Sequence, residues 1–189
     1  MGLASRRWVL GEGAAGKKGA LGEAEATGRN PTDRGKSGTK RHLLTEGRGV
    51  PTALLISGAN RTDMKKLAAL LDAVVIDRPS AADIVTVEEH LCLDRGYDYA
   101  ACREAATERG YLAHIPPKAN AAQPLPAPSD PERHPPRRWV VEVAHSWFNR
   151  FRRVLIRWDK KAANYLGFVQ LAAMLIIYRK VRHARSLSG

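Results

Sequence analysis

The chain has little with which to brace itself covalently. Its 189 residues include only two cysteines, Cys92 and Cys102, without CxxC spacing and without histidines at zinc-finger intervals. That excludes a disulfide scaffold and a cysteine-based zinc site, and the two thiols read as buried groups of an intracellular protein. No signal-peptide pattern opens the sequence. Long apolar runs are also missing. The longest, Tyr165 to Tyr178 (YLGFVQLAAMLIIY), has 14 residues and contains Gln170, short of the ~20 that cross a bilayer, so a buried helix is expected there and no membrane partner.

Acids are scarce where bases are plentiful. Lys and Arg number 31 against 19 Asp and Glu, a net charge of +12. From Met1 to Gly49 there are 10 bases and 5 acids, from Val50 to Pro131 8 and 11, and from Glu132 to Gly189 13 and 3. The C-terminal third is therefore the surface expected to face a polyanion, with nucleic acid ahead of an anionic membrane. A length of 189 suits one domain with a real core.

Met1 to Asn30 is rich in Gly and Ala around a short apolar trio, Trp8-Val9-Leu10, and promises little packed structure. Thr39 to Thr45 and Val50 to Ser57 read as strands of an antiparallel hairpin joined through Glu46-Gly47-Arg48-Gly49. Asp63 to Val74 has helical apolar spacing with Thr62 or Asp63 as N-cap. His90 to Asp94 is a short strand ending in an acid, Tyr97 to Arg109 a helix stopped by Gly110, and Tyr111 to Ile115 another strand. This order predicts a mixed α/β sheet. Residues 116–136 hold eight of the eleven prolines and read as a linker.

Two patterns suggest nucleotide binding and fail on context. Gly28 to Ser37 (GRNPTDRGKS) ends like a phosphate-binding loop, but Gly28 is too far from Gly35, and the segment lacks a preceding strand and a following helix. Gly11 to Gly16 (GEGAAG) matches GxGxxG, yet Lys17-Lys18-Gly19-Ala20 opens no helix.

Between Arg137 and Lys161 (RRWVVEVAHSWFNRFRRVLIRWDKK) the spacing predicts a basic amphipathic helix. Val140, Val143, Ala144, Trp147, Phe151, Val154 and Trp158 share its apolar side, and the three tryptophans Trp139, Trp147 and Trp158 are expected to be buried. Glu142 faces away among guanidinium groups. It reads either as an ion-pair partner of Arg138 at i, i+4 or as a metal ligand beside a phosphate track. Arg150, Arg152, Arg153, Arg157, Lys160 and Lys161 would form that track.

Three separated segments carry a resemblance: Asn30 to Asp63 (NPTDRGKSGTKRHLLTEGRGVPTALLISGANRTD), Leu91 to Tyr99 (LCLDRGYDY), and Arg137 to Leu166 with its RRWVVE and HSWFNRFRRVLIRW blocks. Together they resemble the catalytic portion of DDE transposases of bacterial insertion sequences, groups four and five. The resemblance implies an RNase H-like α/β fold, a mixed sheet flanked by helices with further C-terminal helices. Its expected extent is residues 30–182, after a degenerate first-strand region at 1–29 and before a tail at 183–189.

In that family three acids hold two divalent metals, Mg²⁺ or Mn²⁺, that cleave and join DNA phosphodiesters. Asp94 matches the second acid and Glu142, with Arg138 at the Arg-x-x-x-Glu spacing, the third. The partners implied are DNA ends and target DNA, bound by an assembly of two or more copies, in a cytoplasmic, nucleoid-associated protein. Two departures fall at the chemistry. No Asp precedes Asp33, so Glu12 is the one acid near the first position; and Val143-Ala144 follow Glu142 where the family has Arg-Thr. The expectation is DNA transposition with impaired catalysis. The alternatives are a non-catalytic basic nucleic-acid-binding protein on the same fold and a membrane-surface protein using its C-terminal helices.

Overall fold

The computed structural model describes residues 6–17, 26–31, 34–76, 89–118 and 138–186, the first of these stretches as backbone alone. The elements in chain order are β1 (Arg6–Lys17), β2 (Gly28–Arg29), β3 (Ser37–Glu46), β4 (Pro51–Gly58), α1 (Leu67–Asp72), β5 (Glu89–Cys92), α2 (Ala100–Thr107), β6 (Tyr111–His114), α3 (Arg138–Asn149), α4 (Arg152–Leu155), β7 (Ile156–Arg157) and α5 (Ala162–Ser186).

β3 and β4 form the expected hairpin. Its turn closes where the Gly49 amide donates to the Glu46 carbonyl at 2.8 Å. Gly49 sits at φ +82°, which glycine adopts without strain, and a Cβ there would only touch the Trp147 ring and Val140 at 3.4–3.5 Å, so it is the turn's backbone that calls for glycine. The seven strands make one sheet with β1 at its centre. β1 runs antiparallel to β3 from Trp8↔Glu46 to Gly16↔Gly38 and parallel to β5 from Arg6↔Glu89 to Val9↔Cys92, and β5 runs parallel to β6. The Gly/Ala-rich opening, from which little packing is expected, thus supplies the central strand. Small residues are compatible with that place because helices pack on the sheet from both sides.

Alternation along β3 separates two cores. Leu44 belongs to the cluster with Leu67, Leu70, Leu71 and Ala106 under α1 and α2. Leu43 belongs to the cluster with Val140, Ala144, Phe148, Tyr165, Val169 and Ile176 under α3 and α5. Each fully buried Leu or Phe contributes about 1.5–3 kcal/mol. Both cysteines are buried, and neither forms a disulfide.

The helix expected over residues 137–161 ends at Asn149. The chain turns at Arg150-Phe151, makes one turn of α4, and then the two-residue strand β7, which joins β1 in parallel at Gly16↔Ile156. The apolar stripe therefore breaks: Val140, Ala144 and Val154 are buried, Trp147 and Phe151 half-buried, and Val143 lies at the surface. Trp139 is 62% and Trp158 50% exposed, against the expected burial. α5 also departs from expectation. It runs on to Ser186, taking in part of the expected tail, and is long and apolar enough to cross a membrane by length and composition. Tyr165, Val169, Ala172, Ala173 and Ile176 are buried against the domain, while Leu171, Met174, Leu175, Tyr178 and Val181 are exposed. The helix is core on one side only. Most of the proline-rich segment lies outside the described residues.

Candidate functional site

The pairing of β1 leaves a gap. On one edge it is covered by β5 as far as Val9 and by β7 from Gly16. Between them, from Leu10 to Ala15, that edge has no strand partner among the described residues. A cleft of about 380 Å³ opens nearby, and Asp94 and Glu142, 48 residues apart in sequence, both line it. Asp94 is there because it follows β5 by two residues. Glu142 is there because α3 packs across β1 and β3. Carrying the β1–β5 register on by two residues brings Asp94 level with Gly11, one position from Glu12. The backbone of Glu12 stands opposite His42 on β3.

Asp94 caps the short 3-10 turn Arg95–Tyr97, its Oδ1 accepting from the Gly96 amide. Asp94 thus acts as an N-cap, and the bond fixes the orientation of its carboxylate. Glu142 is exposed and offers its carboxylate to the cleft. The Arg138 side chain lies outside the described residues.

Lys40 and Asp63, which line the cleft, and His42 beside them carry no signal strong enough to single them out from sequence. Lys40 Nζ donates to the Arg61 carbonyl at 3.1 Å and pairs with Asp63 at 3.3 Å. Asp63 in turn lies 3.6 Å from His42 Nδ1, and His42 Nε2 meets Ser57 Oγ at 2.8 Å. Burial, with Lys40 and Lys66 nearby, pushes His42 down to about 4 despite the opposing pull of Asp63. His145 is buried one helical turn beyond Glu142 and lines the same cleft. Its signal was present in the Glu-x-x-His spacing, which places two residues on one helix face.

The basic residues expected to form a phosphate track divide. Arg150, Arg152, Arg153, Lys160 and Lys161 are exposed. Arg153 lies 3.6 Å from Asp159 and over the Phe168 ring. Arg157 is not part of any such track. It is fully buried, donating to Thr39 Oγ1 at 2.9 Å and to the carbonyls of Ala26, Asp159 and Lys160 at 3.3, 3.0 and 3.0 Å. Arg41 is buried too, bound to Asn149 Oδ1 at 2.7 Å, and burial lowers its pKa. Neither rejected nucleotide motif finds its context: Gly11 to Gly16 lies inside β1, and Gly28 opens β2 rather than a helix.

As metal donors, Asp94 and Glu142 are hard carboxylate oxygens of the kind Mg²⁺ and Mn²⁺ prefer. Among the described residues no group of three His, Cys, Asp or Glu is close enough to hold an ion, and Asp63 is engaged with Lys40. The donor set visible here is two carboxylates.

The chain resembles known proteins over most of its length. Residues 13–177 match the family model for the transposase DDE domain. A protein named as transposase for insertion sequence element IS402 of Burkholderia cepacia is 34% identical over 158 residues, covering 84% of this chain and 71% of that protein. Among solved structures, the piggyBac transposase in a synaptic complex with hairpin DNA superposes with a TM-score of 0.53 at 12% identity, covering 94% of this chain. That likeness is one of fold, and the chain spans about half, 48%, of the piggyBac chain. Members of the DDE family use divalent metal to cut and join DNA. The chain belongs to the transposase DDE domain family.

Proposed function

We propose that this chain is the catalytic portion of an insertion-sequence transposase, acting on DNA in the cytoplasm, with Asp94 and Glu142 as its acids. The observation that carries the reading is the meeting of those two residues in one cleft, Asp94 from the end of β5 and Glu142 from α3. The strand order, three antiparallel strands continued past β1 by two parallel ones, supports an RNase H-like sheet. Asp94 and Glu142 would hold a divalent ion, with Glu12 as third donor from β1. Such an ion supplies a Lewis acid for water activation and for the leaving oxygen.

The protein's own groups do the positioning. The Gly96 amide orients the Asp94 carboxylate, α3 carries Glu142 to the cleft, and Lys40, held by Asp63 and the Arg61 carbonyl, lines the same cleft. Arg150, Arg152, Arg153, Lys160 and Lys161 would contact phosphates along the duplex, two or more copies assembling on it.

The test is nicking of supercoiled DNA. The unmodified chain should show weak, Mg²⁺- or Mn²⁺-dependent nicking and little strand transfer, because Glu replaces Asp at the first position. Glu142→Gln and Asp94→Asn should abolish the nicking, and Glu12→Asp should raise it. Efficient transfer that survives Glu142→Gln would falsify the assignment. The exposed bases Arg150, Arg152, Arg153, Lys160 and Lys161 also support a second reading, a DNA-binding protein without catalysis. Calorimetric titration with Mn²⁺ alone separates the two, since that reading predicts no heat and no loss of heat in Glu142→Gln.

A further inference from the structure

A second recess of about 600 Å³ lies between the β3–β4 turn and the C-terminal half of α5, and it shares no described lining residue with the cleft. Its floor is apolar, built by Val50, Trp147, Phe151 and Ile176. Its rim carries Arg48, Arg150, Arg179 and His183. Among the described residues the one rim acid, Glu46, accepts from the Arg48 and Val50 amides within its own turn. No carboxylate among the described residues pairs with the three rim guanidinium groups. Lys180 closes one side, its ammonium 4.2 Å above the Trp147 ring and donating to the Arg48 carbonyl.

A cationic rim around an apolar floor asks for a ligand that is anionic outside and apolar at its tip. A fully paired duplex presents phosphates but cannot lower an apolar surface into a recess. An unpaired nucleotide can do both, its base entering the floor while its phosphate meets the planar guanidinium groups, which suit phosphate oxygens. The volume lies within the roughly 300–1,000 Å³ of small-ligand sites. We infer that this recess receives an unpaired nucleotide of the bound DNA, base against Trp147 and Phe151 and phosphate on Arg48, Arg150 and Arg179. The inference rests on the DNA-binding reading above but not on the cleft.

The experiment compares the full chain's affinity for a duplex with one bulged base and for the same duplex fully paired. Tighter binding of the bulged duplex by about tenfold is expected from base stacking. The preference should persist in the Asp94→Asn, Glu142→Gln double variant, which separates this site from the cleft. Trp147→Leu should reduce it to within about twofold. Val181→Glu, at an exposed position on the lip, should do the same without disturbing the core, and Arg48→Ala with Arg179→Ala should weaken both duplexes. Equal affinities, or a preference that survives Val181→Glu, overturn the inference. So does competition by a peptide of alternating Glu and Leu where the bulged duplex gains nothing, which would assign the recess to a protein partner.

Discussion

The two halves of the segment from Arg137 to Lys161 read as one continuous basic amphipathic helix on paper and have different fates. In the first half, α3 keeps its helical period, buries Val140, Val141, Ala144 and Phe148, and presents Glu142 to a cleft. In the second, the chain breaks at Arg150-Phe151, and the next arginines alternate between solvent and core: Arg152 and Arg153 outside, Arg157 inside. An arginine on a strand at a sheet's edge can be a structural donor to four acceptors, whereas its neighbours on a helix are surface charge. Residue type does not separate them; backbone geometry does.

Several substitutions break or sharpen that contrast. Phe148→Ala should cost on the order of 3–5 kcal/mol, because the side chain is 1% exposed in the α3 core. Arg157→Met should destabilise by about 3 kcal/mol or more, since Thr39 Oγ1 and three carbonyls lose their donor. Urea midpoints read both, and an Arg157→Met variant as stable as the parent would return this residue to the surface track.

The His42 prediction is one of pH. Its folded pKa of about 4 lies below the ordinary 6.5, so below pH 6.5 the unfolded chain binds a proton that the native state refuses. Its contribution is complete above 6.5 and falls as pH drops to 4, by at most about 3 kcal/mol. Stability measured from pH 7 to 4 should show that slope, and His42→Gln should flatten it.

Smaller effects test the exposed half. Trp158→Ala, half in solvent, should cost under about 1 kcal/mol, well below Phe148→Ala. Arg150→Ala with Arg152→Ala should leave the urea midpoint almost unmoved while reducing the salt slope of DNA binding by about 2, one for each lost phosphate contact. A flat salt dependence in the parent would remove these residues from the DNA surface.

Much of the sheet was legible because hairpin chemistry and strand alternation are local: β3, the turn at Gly49, β4 and β6 fall within a residue or two of expectation. The convergence of Asp94 and Glu142 on one cleft was foreseeable only through segments whose order resembles a family. Three things were not. β1 lacks the bulky apolar alternation that marks a strand, since its neighbours on both faces supply the packing. Trp158 was misplaced because a helical period was carried through a break that neither Gly nor Pro announces, and Trp139 because it sits at the start of α3, off the face that Val140, Ala144 and Phe148 bury. Lys40, Asp63 and His42 form their network across elements, a relation no window of sequence contains.

The placing of β1 has a consequence for synthesis on the ribosome. The strand emerges first, yet its parallel neighbour β5 follows about 80 residues later, and Ile156, the partner of Gly16, 140 residues later. At about 5–20 residues per second, the last pairing waits on the order of 7–28 s after the strand appears. Until β5 emerges the glycine-rich strand can pair only with the β3–β4 hairpin, so the nascent chain carries one open parallel edge, a natural point for chaperone engagement or for mispairing with a second nascent copy.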